Sequence, residues 1–145
     1  MTDKKLHLKI ITPGQTLFDR QVSRVIVRAK TGDMGILPGH AHYSAVLDYG
    51  VLRIQEEENE RLMAVYGGLA VVQNNQMTIL TDDAEWPEEI DLIRANMNRE
   101  QAEQRLREKL DDMEIQNDQV LLRRALVQIE VSASLHSIEE DIETY

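Results

Sequence analysis

The first half of the chain alternates polar and apolar residues, whereas the second half repeats apolar residues at steps of three and four. From Lys5 to Ile10 the alternation puts Leu6, Leu8 and Ile10 on one face, as in a half-buried strand. Further strands are predicted at Val22–Ala29, Val51–Ile54, Leu62–Tyr66, Leu69–Gln73 and Gln76–Leu80. Many short strands between turn signals predict a β-sandwich or flattened barrel.

Turn residues separate these predicted strands. Pro13 and Gly14 are expected to end the first strand, and the acidic run Glu56–Glu60 to form a hairpin tip. Gly67-Gly68 is expected to break the strand that precedes it. Asn74-Asn75 is expected to form a two-residue hairpin turn, because asparagine tolerates a left-handed backbone.

The segment Thr31–His40 holds three glycines and a proline within ten residues. Glycine serves where the backbone needs a positive φ or a close approach, and proline fixes φ. The segment therefore predicts one particular turn on the sheet. Walker-type phosphate loops need a lysine after the glycines, and none follows here, so nucleotide binding in this loop is not expected.

The helical half begins after Pro87, where Glu88, Glu89 and Asp91 favour the first turn of a helix through its dipole. Its apolar stripe is narrow, which is typical of a helix that lies on a surface. The positions of the stripe are Leu92, Ala95, Arg99, Ala102, Leu106 and Leu110.

A second helix is predicted over Val120–Leu135, after a break at Asp111-Asp112 and Ile115–Asp118. Asn117 or Asp118 is expected to cap it, and a short connection predicts an antiparallel helical hairpin. The acid-rich segment Ser137–Tyr145 is expected to be frayed or disordered. The predicted domains are residues 1–85, the β-sandwich, and residues 86–145, the helical hairpin with its acidic tail.

The net charge is −10, with −2 in residues 1–85 and −8 in residues 86–145. This acidity argues against a nucleic-acid surface and against polybasic attachment to a membrane. It fits either a solvated acidic face or a cationic partner. The chain has no cysteine, which excludes disulfides and thiolate metal sites. It also has no apolar run of about 20 residues that could form a membrane helix.

No set of catalytic residues is evident. His40-x-His42 could in principle hold a metal, with Asp48 as a weak third ligand, but a position at a sheet edge or subunit interface is the favoured explanation for these histidines. GxSxG, HExxH and EF-hand spacings are absent from the sequence. We therefore expect no catalytic residue and no metal site, and a binding and coupling protein instead of an enzyme.

The chain resembles the epsilon subunit of bacterial F-type ATP synthase, a protein of the central stalk, over nearly its whole length. The order of the matching segments makes the resemblance specific. These segments are Leu8–Pro13, Val25–Lys30, Thr31–His40, Tyr66–Val72, Met77–Leu80 and Ile90–Ala95.

The resemblance implies a flattened β-sandwich of about ten strands followed by a two-helix hairpin. It implies binding of the sandwich to the gamma subunit, near His40, and to the c-subunit ring, through Thr31, Gly32 and Asp33. The hairpin would be mobile, would permit turnover when folded, and would block ATP hydrolysis when extended toward the beta and alpha subunits. The protein would then lie peripherally on the cytoplasmic side of the cell membrane, attached through the complex.

ATP binds the folded hairpin in several members of this family and is therefore expected here as a regulatory ligand, while no cofactor is required. Gln101 and Gln128 stand where nucleotide-binding members carry arginine, which predicts that ATP binding is weak or absent. Five residues stand at positions that match the ATP site of those family members: Glu85, Asp91, Arg94, Ala95 and Arg124. For two of them, capping by Asp91 and ion pairing by Arg94 are equally good structural explanations.

The functional prediction is a non-catalytic subunit that couples proton-driven rotation to ATP synthesis and inhibits hydrolysis. The alternative is a stand-alone ligand-binding β-sandwich with a helical dimerisation tail.

Overall fold

The computed structural model describes residues 4–108 and 111–143, with side chains as far as residue 135. The chain divides into two compact units, Met1–Glu85 and Trp86–Tyr145. Strands make up the first unit and helices the second, which confirms the predicted α+β class.

Eight strands form the first unit within the described residues, where about ten were expected. The number is lower because β5 and β6 are 14 and 15 residues long. The strands are β1 (Leu6–Thr12), β2 (Gln15–Val22), β3 (Arg24–Ala29), β4 (Gly32–Ile36), β5 (Tyr43–Glu56), β6 (Asn59–Gln73), β7 (Gln76–Leu80) and β8 (Ala84–Glu85).

The strands form one sheet in the order β2-β1-β7-β6-β5-β3-β4, with β8 paired to β6. All pairs are antiparallel except β1 with β7. Because β2 also contacts β5, four places away, the sheet curls over itself into a sandwich. Leu6, Leu8 and Ile10 are fully buried between its layers, as their alternation predicts.

Strand β2 was not expected, and the predicted strand Val22–Ala29 is in fact two strands separated at Ser23. The period-two signal of β2 is weak because β2 is an edge strand with mostly exposed polar residues. Only Phe18 and Val22 are buried in it. The guanidinium of Arg20 lies 4.9 Å from the centroid of the Phe18 ring and shields it from water.

The expected break at Gly67-Gly68 is wrong, because β6 continues through both glycines. Its pairing with β5 keeps one register on either side, from Leu47↔Gly68 to Tyr49↔Tyr66. The two glycines have φ values of 79° and 129°, which bend the strand without ending it.

The Asn74-Asn75 turn is confirmed, with φ values of 51° and 60° at its two residues. Positive φ at both central positions is the geometry of the hairpin turn whose twist matches the strands. The acidic hairpin tip is also confirmed, with the turn at Glu57-Glu58 between β5 and β6.

The second unit holds a 3₁₀ turn (Pro87–Glu89) and two helices, α1 (Leu92–Arg107) and α2 (Asp112–Glu143). Glu88 and Glu89 lie in the 3₁₀ turn and not in the first turn of α1. Asp91 caps α1, since its carboxylate accepts a hydrogen bond from Arg94 N at 3.1 Å. The short connection makes the two helices an antiparallel hairpin.

Helix α2 begins earlier than expected, with Asp111 as the capping side chain in place of Asn117 or Asp118. The Asp111 carboxylate accepts from Glu114 N at 2.8 Å. Asp118 lies inside the helix, buried and 3.6 Å from the guanidinium of Arg105 on α1. This ion pair between helices replaces the capping role that the sequence suggested.

Helix α2 continues to Glu143 and so includes most of the segment for which a frayed or disordered end is expected, and that expectation stays a prediction. Extending an existing helix adds one hydrogen bond per residue, and glutamate is a good helix former. Residues 144 and 145, like Leu110 of the predicted stripe, lie outside the described residues. No helix in the described ranges is long and apolar enough to cross a membrane.

We expect Gly68→Ala to destabilise the first unit by about 3 kcal/mol or more. A Cβ at this position would lie 2.1 Å from the carbonyl oxygen of Leu80, and φ is +129°. Urea denaturation of the parent and the variant, followed by circular dichroism, measures the loss.

Gly35→Ala is the matched control, because nothing lies within 4 Å of a Cβ there. It should change the free energy of unfolding by less than about 1 kcal/mol. Equal stability of the two variants would contradict the close approach at Gly68.

Candidate functional site

The glycine-rich segment forms two different turns on the sandwich. Lys30 and Thr31 connect β3 to β4, with Ala29 paired to Gly32 and a φ of 125° at Gly32. Beyond β4, a hydrogen bond from His40 N to Leu37 O, 3.2 Å long, closes a second turn.

The first turn displays the three residues expected at the c-subunit ring. Thr31, Gly32 and Asp33 are all exposed. Asp33 accepts a hydrogen bond from Arg28 Nε at 3.0 Å across the β3–β4 pair. Its carboxylate therefore braces the hairpin, and its exposed edge is still accessible to a partner.

The second turn is a type II turn, because Pro38 occupies its second position and Gly39, with φ of 80°, its third. Leu37 is 55% exposed at its start. His40 is half-buried, donates from Nδ1 to Ala41 O at 2.7 Å, and meets the Tyr43 ring edge-on at 6.2 Å.

Four apolar side chains lie side by side on the outer face of the sheet. The register pairs Val46 with Leu69, Leu69 with Leu80, and Leu80 with Ile11. Val46, Leu69 and Leu80 are 56%, 38% and 43% exposed, and Ile11 is half-buried. We call this set the apolar row.

A shallow depression of about 360 Å³ lies at one end of the apolar row. Its lining includes Pro13, Gly68 and Asp82 in addition to Ile11, Leu69 and Leu80. A contiguous apolar surface that crosses four strands is typical of a protein-binding face.

The structure brings together three of the residues expected at an ATP site. Asp91, Arg94 and Ala95 share the first turn of α1, where Asp91 accepts from the Arg94 amide and Ala95 is buried. Arg94 is exposed. Arg124 lies on α2, where its side chain is half-buried and already interacts with another group of the chain.

Glu85, the fifth expected residue, ends β8 and accepts a hydrogen bond from the Tyr66 hydroxyl at 2.6 Å. The Tyr66 ring in turn packs against Tyr49, with 5.6 Å between ring centroids. Glu85 and Asp91 thus both have structural roles in the polypeptide.

The residues buried on α1 and α2 are mostly small. Ala95 and Ala102 are the buried residues of α1, and Ala125, Val127, Val131 and Ser132 are buried on α2 together with Asp118. Small residues allow close approach of two helices but bury little apolar area each. Arg105 and Asp118 pair near the connection.

His40 and His42 were weighed as metal ligands. Among residues 4–108 and 111–135, no group of three His, Cys, Asp or Glu side chains is placed to hold a metal ion. His42 Nε2 lies 3.3 Å from Asn74 Oδ1.

Neither the apolar row nor the polar partners of the Leu37–His42 loop could be predicted from local sequence patterns. Apolar residues at Val46 and Leu69, at strand positions that face solvent, are a local sign of such a surface in these two strands. Only the register shows that they adjoin Leu80 and Ile11.

Two family models match the chain. Residues 5–87 match the β-sandwich domain of the ATP synthase Delta/Epsilon chain, and residues 88–133 match its long α-helix domain.

Relatives match over almost their entire lengths. The ATP synthase epsilon chain of Bacillus velezensis is 37% identical, with 90% of this chain and 99% of the relative covered. That of Synechococcus elongatus is 38% identical, with coverages of 92% and 98%.

A chain of the Euglena gracilis mitochondrial ATP synthase OSCP/F1/c-ring assembly has a similar fold. The TM-score is 0.79 at 24% identity, over 91% of this chain and 82% of that chain. Because the two family models cover both units and the relatives match over most of the chain, the chain belongs to the ATP synthase epsilon chain family.

Proposed function

We propose that this epsilon chain is a non-catalytic subunit of the central stalk, which couples proton-driven rotation to ATP synthesis and restrains ATP hydrolysis. The apolar row is the observation that carries the proposal, because it offers a flat face suited to a protein partner. The polar groups most suggestive of chemistry are engaged within the chain: Asp91 caps a helix, Glu85 binds Tyr66, and Asp33 binds Arg28.

The proposed occupant of the apolar row is the gamma subunit, with the Leu37–His42 loop as a neighbouring contact. Strand β5 starts at Tyr43, three residues or about 10 Å from Val46, so the loop and the row share one region of the sheet. The family resemblance supports this choice, because it implies a gamma contact near His40.

Two further contacts complete the proposed coupling. The tip formed by Thr31, Gly32 and Asp33 would meet the c-subunit ring, for which its exposure is suitable. The helical unit would meet the beta and alpha subunits when it extends. In this account the protein lies on the cytoplasmic side of the cell membrane and is held there by subunit contacts.

The hairpin would act as the regulatory element. A switch needs two arrangements that differ by only a few kcal/mol. The small residues between α1 and α2 support this role, because separating them exposes little apolar surface per residue. Ile93 and Met97, which are 76% and 64% exposed one turn apart on α1, are available to a new partner.

ATP remains a proposed regulatory ligand of the hairpin. The support is the position of the Arg94 side chain, exposed on the first turn of α1, and the guanidinium of Arg124, which is suited to phosphate. Competing structural use of Asp91 and Glu85, and glutamine at positions 101 and 128, favour weak affinity.

The docking proposal predicts that Leu69→Ser with Leu80→Ser weakens binding to a catalytic head that carries gamma but lacks epsilon. Loss of two half-exposed apolar contacts should raise Kd roughly tenfold or more. Surface plasmon resonance on the immobilised head measures the affinity.

Gln15→Ser with Gln21→Ser is the control for that experiment, since both glutamines are exposed on the edge strand β2 of the same unit, outside the apolar row. It should change Kd less than twofold. An unchanged Kd for the row variant, or equal losses in both variants, would contradict docking through the apolar row.

The ATP proposal predicts weak binding to the isolated chain, with Kd between micromolar and millimolar values, abolished by Arg94→Ala and by Arg124→Ala. Isothermal titration calorimetry of parent and variants measures this. Arg61→Ala, on β6 in the other unit, should leave the heat of binding unchanged. An absence of binding at several millimolar ATP would reject ATP as the ligand and leave control to subunit contacts.

A further inference from the structure

The Asn74-Asn75 turn does more than reverse the chain, because its second residue ties two distant segments together. Asn75 Oδ1 accepts from Gly39 N at 2.9 Å, and Asn75 Nδ2 donates to Lys5 O at 2.6 Å. The main-chain oxygen of Asn75 also accepts from His7 N at 3.1 Å. One side chain thus joins the turn of the Leu37–His42 loop to the start of β1.

The bond to Gly39 reaches the centre of the type II turn that carries Leu37. Gly39 has φ of 80°, and nothing lies within 4 Å of the place that a Cβ would take there. The hydrogen bond from the Gly39 amide to Asn75 Oδ1 therefore restrains the position of this turn relative to the β6–β7 hairpin.

We infer that Asn75 is a positioning residue for partner docking: it holds the Leu37–His42 loop in the shape that presents Leu37 and His40 to gamma. This inference rests on the proposed docking to gamma. Asn75 itself need not touch the partner, because it acts through the Gly39 amide and the Lys5 carbonyl.

The chain provides a matched pair of substitutions. Asn75→Gly removes both side-chain hydrogen bonds but keeps the left-handed backbone, and it creates an Asn-Gly turn, which is a strongly favoured hairpin sequence. Asn74→Gly also keeps the backbone geometry, and it removes only the 3.3 Å contact with His42. Both variants should therefore fold, with nearly unchanged unfolding midpoints.

Two measurements follow on each full-length variant. By NMR amide exchange, Gly39 should exchange roughly two- to tenfold faster in Asn75→Gly and at the parental rate in Asn74→Gly. By surface plasmon resonance on the gamma-carrying head, Asn75→Gly should weaken binding roughly tenfold, and Asn74→Gly less than threefold.

A double-mutant cycle with Leu37→Ala separates positioning from a general loss of structure. If Asn75 acts through the loop, Asn75→Gly should weaken binding much less in the Leu37→Ala background than in the parent. Additive losses would overturn the inference.

The remaining outcomes are also distinguishable. Unchanged Gly39 exchange in Asn75→Gly would show that the hydrogen bond does not restrain the loop. Faster exchange with unaltered affinity would reject the positioning role and leave docking to gamma intact. If the parent chain itself fails to bind the head, the docking proposal fails, and this role of Asn75 fails with it.

Discussion

The close approach of β6 to β7 at Gly68 determines the shape of the first unit. A side chain at this position would collide with the main chain of Leu80, so the bend can form only because glycine stands there. The bend lets the long β5–β6 pair continue in one register as the sheet curls over its core. The same constraint aligns Leu69 with Leu80, and so creates the apolar row beside the bend.

The second unit depends on a different kind of contact. The residues buried on its helices are alanines, valines and a serine, with an ion pair between Arg105 and Asp118 near the connection. A large aliphatic core would hold such a hairpin firmly in one arrangement, whereas small residues make its separation less costly. A sandwich with an exposed apolar row and a hairpin that buries few large side chains together fit the proposed docking and regulatory roles.

Sequence patterns predicted the elements whose signals are local. Alternation identified the buried face of β1, and the tolerance of asparagine for positive φ identified the turn at residues 74 and 75. Strand β2 could not be predicted because most of its residues are polar and exposed at the edge of the sheet. The continuity of β6 could not be predicted because a glycine pair can bend a strand as readily as it can end one. The cap of α2 was misplaced because a contact with Arg105 stabilises Asp118 inside the helix.

The candidate site was less accessible to sequence reasoning than the fold. The expected contact residues could be named by resemblance, but the alignment of Ile11, Val46, Leu69 and Leu80 follows from pairing between distant segments. The link from Asn75 to Gly39 spans 36 residues and depends on a loop conformation that no local pattern specifies. Such relations appear only when the register and turn geometry are known.

The most direct test of the account is whether separation of α1 from α2 is needed to restrain hydrolysis. The chain has no cysteine, so Arg105→Cys with Asp118→Cys allows the hairpin to be closed by a short thiol-to-thiol crosslinker. ATP hydrolysis would be measured on the assembled catalytic head with the crosslinked chain, and with each single variant treated with the same reagent. If the hairpin must open to restrain hydrolysis, only the crosslinked chain will fail to inhibit it. Equal inhibition by crosslinked and single variants would contradict the hairpin as the regulatory element.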